Sequence, residues 1–289
     1  MAENRIRSRI ASALLGACVI VLAGLALWAA GVVRFTGAAD GGETHVQTPP
    51  VIPAIKPKAP ALPLPEPPLD RRQLLLAFAA AADAAAGGRA MPADNASLVG
   101  KSFAIRLPFG CAGPMKEDAK DWAGWTYNPK TKALKLTAQP EIWDTVSWVH
   151  ELAGELPFDA AEGFWIRRPW TSSQSCPKTA NGEAAAAVQP RARNTVGIVQ
   201  FFAPGSSRTL RRGGRPYAVT VKAAQELTDA PRDYGLLLSG RIVGFPDGQP
   251  IHCFNEAANL VPVCLIAVEF DRVAFEDVAY GNVLSEWNS

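Results

Sequence analysis

From Ile10 to Val33 the chain runs for 24 residues without a charge. As a helix rising about 1.5 Å per residue, this stretch reaches roughly 36 Å, enough to cross a hydrocarbon core of about 30 Å with some tilt. No other feature constrains the chain as strongly, because whatever follows has to be built on one side of a bilayer. Arg5, Arg7 and Arg9 precede the run, and Arg34, Asp40 and Glu43 follow it. Basic residues stay on the cytoplasmic side, so the expected topology is N-terminus in and the remainder out. A cleaved signal peptide has an apolar region of about 7–15 residues, shorter than this one. Leu15-Gly16-Ala17-Cys18 has the look of a lipobox, but a lipobox ends its apolar run at the cysteine, and here the run continues to Val33. Cys18 reads instead as a small apolar residue inside the span.

After the span come prolines at positions 49, 50, 53, 57, 60, 63, 65, 67 and 68. Proline fixes φ and removes the amide donor, which excludes helix and sheet interior. Extended polyproline II advances about 3.1 Å per residue, so twenty residues make a semi-rigid arm of roughly 60 Å. An anchor, a Pro-rich arm and a distal domain together resemble TonB-type energy transducers in layout. That resemblance covers residues 1–70 only, and no residue role is carried over from it.

Beyond the arm the patterning is that of a folded domain. Asp70 is placed to cap a helix over 70–88, with Leu74 and Phe78 on one face and Gly87-Gly88 as the stop. Strand signals dominate from there: Ser102–Leu107, then Trp125–Tyr127 and Ala133–Thr137 around the turn-forming run 128–132. Later strands are expected at Thr195–Phe202, Tyr217–Lys222, Leu236–Val243, Ile251–Phe254 and Val263–Phe270. Pro140 predicts the start of a helix to Leu152, with Ile142, Val146 and Val149 on one face. The expected architecture is a strand-rich α+β extracytoplasmic domain over 98–289, behind one N-terminal transmembrane helix and a Pro-rich polyproline II linker. Residues 1–9 would be cytoplasmic, 10–33 the transmembrane helix and 34–69 the linker. If the domain is divided, the break falls in the low-complexity stretch 182–194.

Outside the apolar run stand four cysteines, Cys111, Cys176, Cys253 and Cys264. An even number on the oxidising side of a membrane favours disulfides. Three connectivities exist, of which Cys111–Cys176 and Cys253–Cys264 is preferred. No C-x-x-C pair is present, so no metal and no cofactor are expected.

Catalytic signatures are fragmentary. His150-Glu151 begins an H-E-x-x-H pattern, but Gly154 occupies the second ligand position. Ser175-Cys176-Pro177-Lys178 fits S-x-x-K without its partner motifs, and Pro177 breaks the helix that motif needs. Two other features carry weight. Trp122, Trp125, Trp143, Trp148, Trp165 and Trp170 crowd into fifty residues. An exposed set of indoles could stack on sugar rings, whereas a buried set would be core. Residues 184–225 carry Arg191, Arg193, Arg208, Arg211, Arg212, Arg215 and Lys222 and no acid, while the tail after Cys253 is acidic. Arg208, Arg211, Arg212 and Arg215 are the candidate contacts for an anionic partner, lipid headgroup or acidic protein.

The net charge of +2 gives no reason to expect nucleic acid. The leading expectation is a membrane-tethered binding or assembly module of a bacterial inner membrane, with its C-terminal domain in the periplasm. Its partners would be lipid through residues 10–33 and an envelope protein. The alternatives are a periplasmic glycan-binding protein using the tryptophans, or a hydrolase whose catalytic residues form no familiar motif.

Overall fold

Asp70 accepts a hydrogen bond from the amide of Gln73 at 2.9 Å, and the Gln73 side chain accepts one from the amide of Asp70 at 2.8 Å. This reciprocal cap satisfies two orphan donors and starts helix α1, Arg71–Ala86. The computed structural model describes residues 66–116, 119–167, 172–178, 193–223, 226–228 and 230–289. All belong to one compact unit, Pro63–Ser289. The expected membrane span and most of the arm lie outside the described residues. Among the described residues no helix is long and apolar enough to cross a membrane.

A short helix α2 (Ala93–Ala96) leads into β1 (Ser102–Phe109). Then follow β2 (Ala123–Asn128), β3 (Ala133–Ala138), β4 (Glu141–Ile142), helix α3 (Ser147–Ala153), β5 (Ala160–Trp165), β6 (Val196–Phe202), β7 (Tyr217–Lys222), β8 (Tyr234–Ile242), β9 (Ile251–Phe254), β10 (Val263–Asp277) and β11 (Asn282–Asn288). The fold is α+β, strand-rich and built on a mixed sheet.

The large sheet has eight strands in the order β1-β8-β10-β6-β5-β4, with β9 and β11 also paired to β10. β10 organises it. Its residues Val263–Val268 are all buried, so this half is covered on both faces and reads as an unbroken apolar run. It pairs parallel to β6 and antiparallel to β8, β9 and β11. The register shifts between Phe270 and Arg272, a bulge that adds bend and twist midway. Close approach demands glycine twice. A Cβ on Gly163 of β5 would stand 1.8 Å from the Ile198 carbonyl oxygen, and one on Gly240 of β8 would stand 2.0 Å from that of Glu269. β5 and β6 flank the stretch 182–194 and are hydrogen-bonded neighbours, so chain on both sides of it shares one sheet. α1 packs on β1, β9 and β10 through Leu74, Phe78, Ala81 and Ala84.

The second sheet is β2-β3-β7, antiparallel throughout. In β3 the odd positions look outward and Leu134, Leu136 and Ala138 are buried, the alternation of a sheet with one face in contact with water.

Both disulfides pair as preferred, Cys111–Cys176 and Cys253–Cys264. Cys253 and Cys264 are directly opposed residues of β9 and β10. The helix expected from Pro140 is shorter than its periodicity suggests. Ile142 pairs with Glu162 of β5, and the amide of Ala161 donates to the Asp144 carboxylate at 2.6 Å. Sheet pairing overrides helical propensity there, and only Ser147–Ala153 is helical.

Candidate binding surfaces

α1 is apolar almost all round: its only polar residues are Arg71, Arg72, Gln73 and Asp83. A helix of that kind is normally covered on every side. Here Leu76, Ala79 and Ala80 face outward, and Leu76 is 61% exposed. Alongside it, the loop 255–262 between β9 and β10 presents Val261 at 51% and Leu260 at 40% exposure. Between helix and loop lies a groove of about 320 Å³ lined by Leu75, Leu76, Ala79, Ala82, Val261 and Pro262, with Val196 of β6 contributing. Among the described residues Arg72 is its one charged lining residue, and Ser172 and Thr195 are its other polar ones. Both its size and its apolar lining lie within the range of ligand sites. Patterning of the helix identified its buried face; the outward apolar face became visible only once the β9–β10 loop was placed beside it.

Of the four arginines singled out in sequence, two work inside the fold. Arg211 pairs with Asp159 at 2.8 Å. Arg212 lies over the ring of Tyr217 at 5.0 Å and donates to the Pro216 carbonyl at 3.1 Å. The Tyr217 hydroxyl donates to the Leu210 carbonyl at 2.6 Å. Burial pushes the Tyr217 phenol well above its ordinary range, with Arg212 pulling it down and Glu162 adding to the rise. Arg208 and Arg215 are exposed. The loop carrying all four is fastened by Glu162, a buried carboxylate of β5 that accepts from the amides of Arg212 at 2.8 Å and Gly213 at 2.7 Å. Sequence reading missed Glu162, since a lone Glu between apolar residues has no pattern that marks it as an anchor.

The described tryptophans of the cluster are buried or half-buried. Trp125 and Trp143 are buried. Trp122 is half-buried, with Arg167 over its ring at 5.6 Å and edge contacts to Phe109 and Phe164. Trp165 meets Trp143 edge-on and donates from Nε1 to Glu141 at 2.9 Å. Trp148 stacks on Phe254 with ring centroids 5.4 Å apart. Trp170 lies outside the described residues.

A polar cluster near the Cys111–Cys176 disulfide also escaped the sequence. Asp233 accepts from the amide of Cys176 at 3.0 Å, and Arg106 pairs with Glu276 at 2.6 Å. Burial pushes the Asp233 carboxyl up, against the Cys176 amide and the charges of Arg106 and Lys178. Burial likewise pushes the Tyr234 phenol up to about 12. His252 contacts Asp247 at 3.0 Å; burial raises that carboxyl, but hydrogen bonds from the Gln249 amide and from His252 outweigh it and leave the carboxyl below its usual range. His150, on α3, contacts the Asp144 carbonyl and packs on Phe158. Among the described residues no group of three or more His, Cys, Asp or Glu is close enough to hold a metal ion.

No family model, no curated protein and no solved structure matches the chain.

Proposed function

We propose that the chain is a membrane-tethered module of the cell envelope, anchored by Ile10–Val33, carried on the proline arm, and binding the apolar face of a partner helix in the α1 groove. The observation that carries this reading is the outward apolar face of α1, with Leu76 61% and Val261 51% exposed on either side of a groove of about 320 Å³. The alanines at 79, 80 and 82 leave room for a second helix to approach closely, and Leu76 and Val261 supply the side chains that interlock with it. The two disulfides suit an oxidising compartment. The glycan reading has less support, because the described tryptophans of the cluster are buried or half-buried.

The test uses the full chain in its own membrane. Leu76→Asp with Val261→Asp leaves folding intact, as expected of exposed positions, and removes a partner that co-purifies after gentle extraction. Deleting Pro49–Pro68 has the same outcome, because effective concentration at a fixed partner depends on reach. Undiminished co-purification in both variants would refute the reading.

A further inference from the structure

We propose that the outer face of the β2-β3-β7 sheet, with the arginine loop that leads into it, docks on the anionic phosphate headgroups of a bilayer. This surface is distinct from the groove, and the inference stands whether or not the groove holds a helix.

The argument begins with a juxtaposition the sequence hides. The 128–132 hairpin and the stretch 203–223 lie far apart along the chain, but β3 and β7 are hydrogen-bonded over their whole length, from Ala133↔Lys222 to Ala138↔Tyr217. Residues 123–138 and 203–223 together contain eight cations and no acid. Arg211 and Arg212 are engaged internally, by Asp159 and by the Tyr217 ring. The other six, Lys130, Lys132, Lys135, Arg208, Arg215 and Lys222, are exposed and make no ion pair among the described residues.

Register sets their arrangement. Lys135 stands between Thr126 and Thr220, the residues directly opposite it on the two neighbouring strands. Lys222 is on the same face, one diagonal step from Lys135 at about 7–8 Å. The hairpin loop is held by Asn128, whose side chain accepts from the amides of Lys130 at 3.0 Å and Thr131 at 3.3 Å. Ala223 donates to the Lys132 carbonyl at 2.8 Å, which joins that loop to the end of β7. At the other end, Gln139 donates to the Gly214 carbonyl at 2.6 Å, and Glu162 clamps Arg212 and Gly213. Two acids that contact the loop, Asp159 and Glu162, are thus engaged by Arg211 and by the amides of Arg212 and Gly213.

The chemistry of the face selects the partner. Its outward residues are Thr126, Lys135, Ala218, Thr220 and Lys222, with no aromatic ring on which a base could stack. It offers no exposed large apolar side chain to anchor a protein partner. Lys135 and Lys222 on the sheet face, a Debye length of roughly 8 Å apart, together with the exposed cations of the hairpin and the arginine loop, act jointly on an extended array of phosphates rather than on one ion.

The experiment holds the full chain in zwitterionic nanodiscs and measures co-flotation with phosphatidylcholine vesicles, with and without phosphatidylglycerol. Binding is expected only with phosphatidylglycerol, is lost at high salt, and falls by about fivefold for each cation removed. The variant Lys135→Ser, Arg208→Ser, Arg215→Ser, Lys222→Ser should float about six-hundredfold less, while Lys135→Arg with Lys222→Arg floats like the parent. Equal binding to both vesicle types, or binding unchanged in the serine variant, overturns the proposal. So does displacement by inorganic phosphate at constant ionic strength, which would identify a discrete anion site, or preferential binding of duplex DNA or of an acidic protein added in competition.

Discussion

The two sheets divide the molecule between different tasks. The large sheet is committed inward: Val263–Val268 of β10 and Ala160–Phe164 of β5 are buried without interruption, and the Cys253–Cys264 disulfide joins two of its strands. The small sheet is half interior and half surface, with Leu134 and Leu136 buried while Lys135 between them faces out. Substitutions in the first should therefore be read as loss of stability. Substitutions on the outer face of the second should leave stability alone and change what the surface attracts.

The largest expected effects fall on the two disulfides, of which Cys253–Cys264 joins strands of the large sheet and Cys111–Cys176 lies outside the strands, and on the large sheet itself. Replacing Cys111 and Cys176 by Ser should cost about 4 kcal/mol, and replacing Cys253 and Cys264 about 3 kcal/mol, by denaturant titration, since the loops closed differ in length. Gly163→Ala should cost about 3 kcal/mol or more, because its Cβ would meet the Ile198 carbonyl at 1.8 Å and backbone has to move. Lys135→Ser on the small sheet is the counterpart, within about 0.5 kcal/mol of the parent. Equal losses in the two sheets would break the comparison.

Glu162 links the two regions, since a residue of β5 fixes the loop that enters β7. Glu162→Gln retains one acceptor for two amides and should cost about 2 kcal/mol. Proteolysis at Arg211–Arg215 should rise with it. A stable variant with an unchanged cleavage rate would mean that the loop does not depend on Glu162.

The smallest effects are in pH dependence. Asp233 has a raised carboxyl, so its contribution to stability is present below the ordinary carboxylate range and is lost as pH rises through the raised value. Asp233→Asn, which keeps an acceptor for the Cys176 amide, should melt increasingly above the parent as pH rises through that window. Asp247 is lowered, so its contribution is present above the ordinary range and is lost as pH falls through the lowered value. Asp247→Asn should differ most from the parent at neutral pH and converge on it in acid.

Most of the strand plan was legible where local signals agree. The hairpin around Asn128-Pro129, strands β6, β7 and β9, and the choice of cysteine pairing all follow from turn residues, alternation and spacing. β5 was not legible: Ala160-Ala161-Glu162-Gly163 has neither β-branched residues nor alternation, and it is a strand because β6 lies beside it. β11 was missed because Asn282–Asn288 sets Val283, Leu284 and Trp287 among polar residues without alternation and gains its pairing from β10. The basic face was half visible. Arg208 to Lys222 stood out along the chain, but only the β3–β7 register adds the hairpin lysines, and only tertiary contacts remove Arg211 and Arg212 from the exposed set.

The central claim is that the outward face of α1 is a docking surface for a partner helix. The most direct measurement places a photo-reactive residue at position 76 in the full chain in its native membrane, with position 135 as the control. A discrete protein adduct should form from 76, map to a helical segment of the partner, disappear when Val261→Asp is added, and not form from 135. No adduct from position 76, or one indifferent to Val261→Asp, would contradict the account.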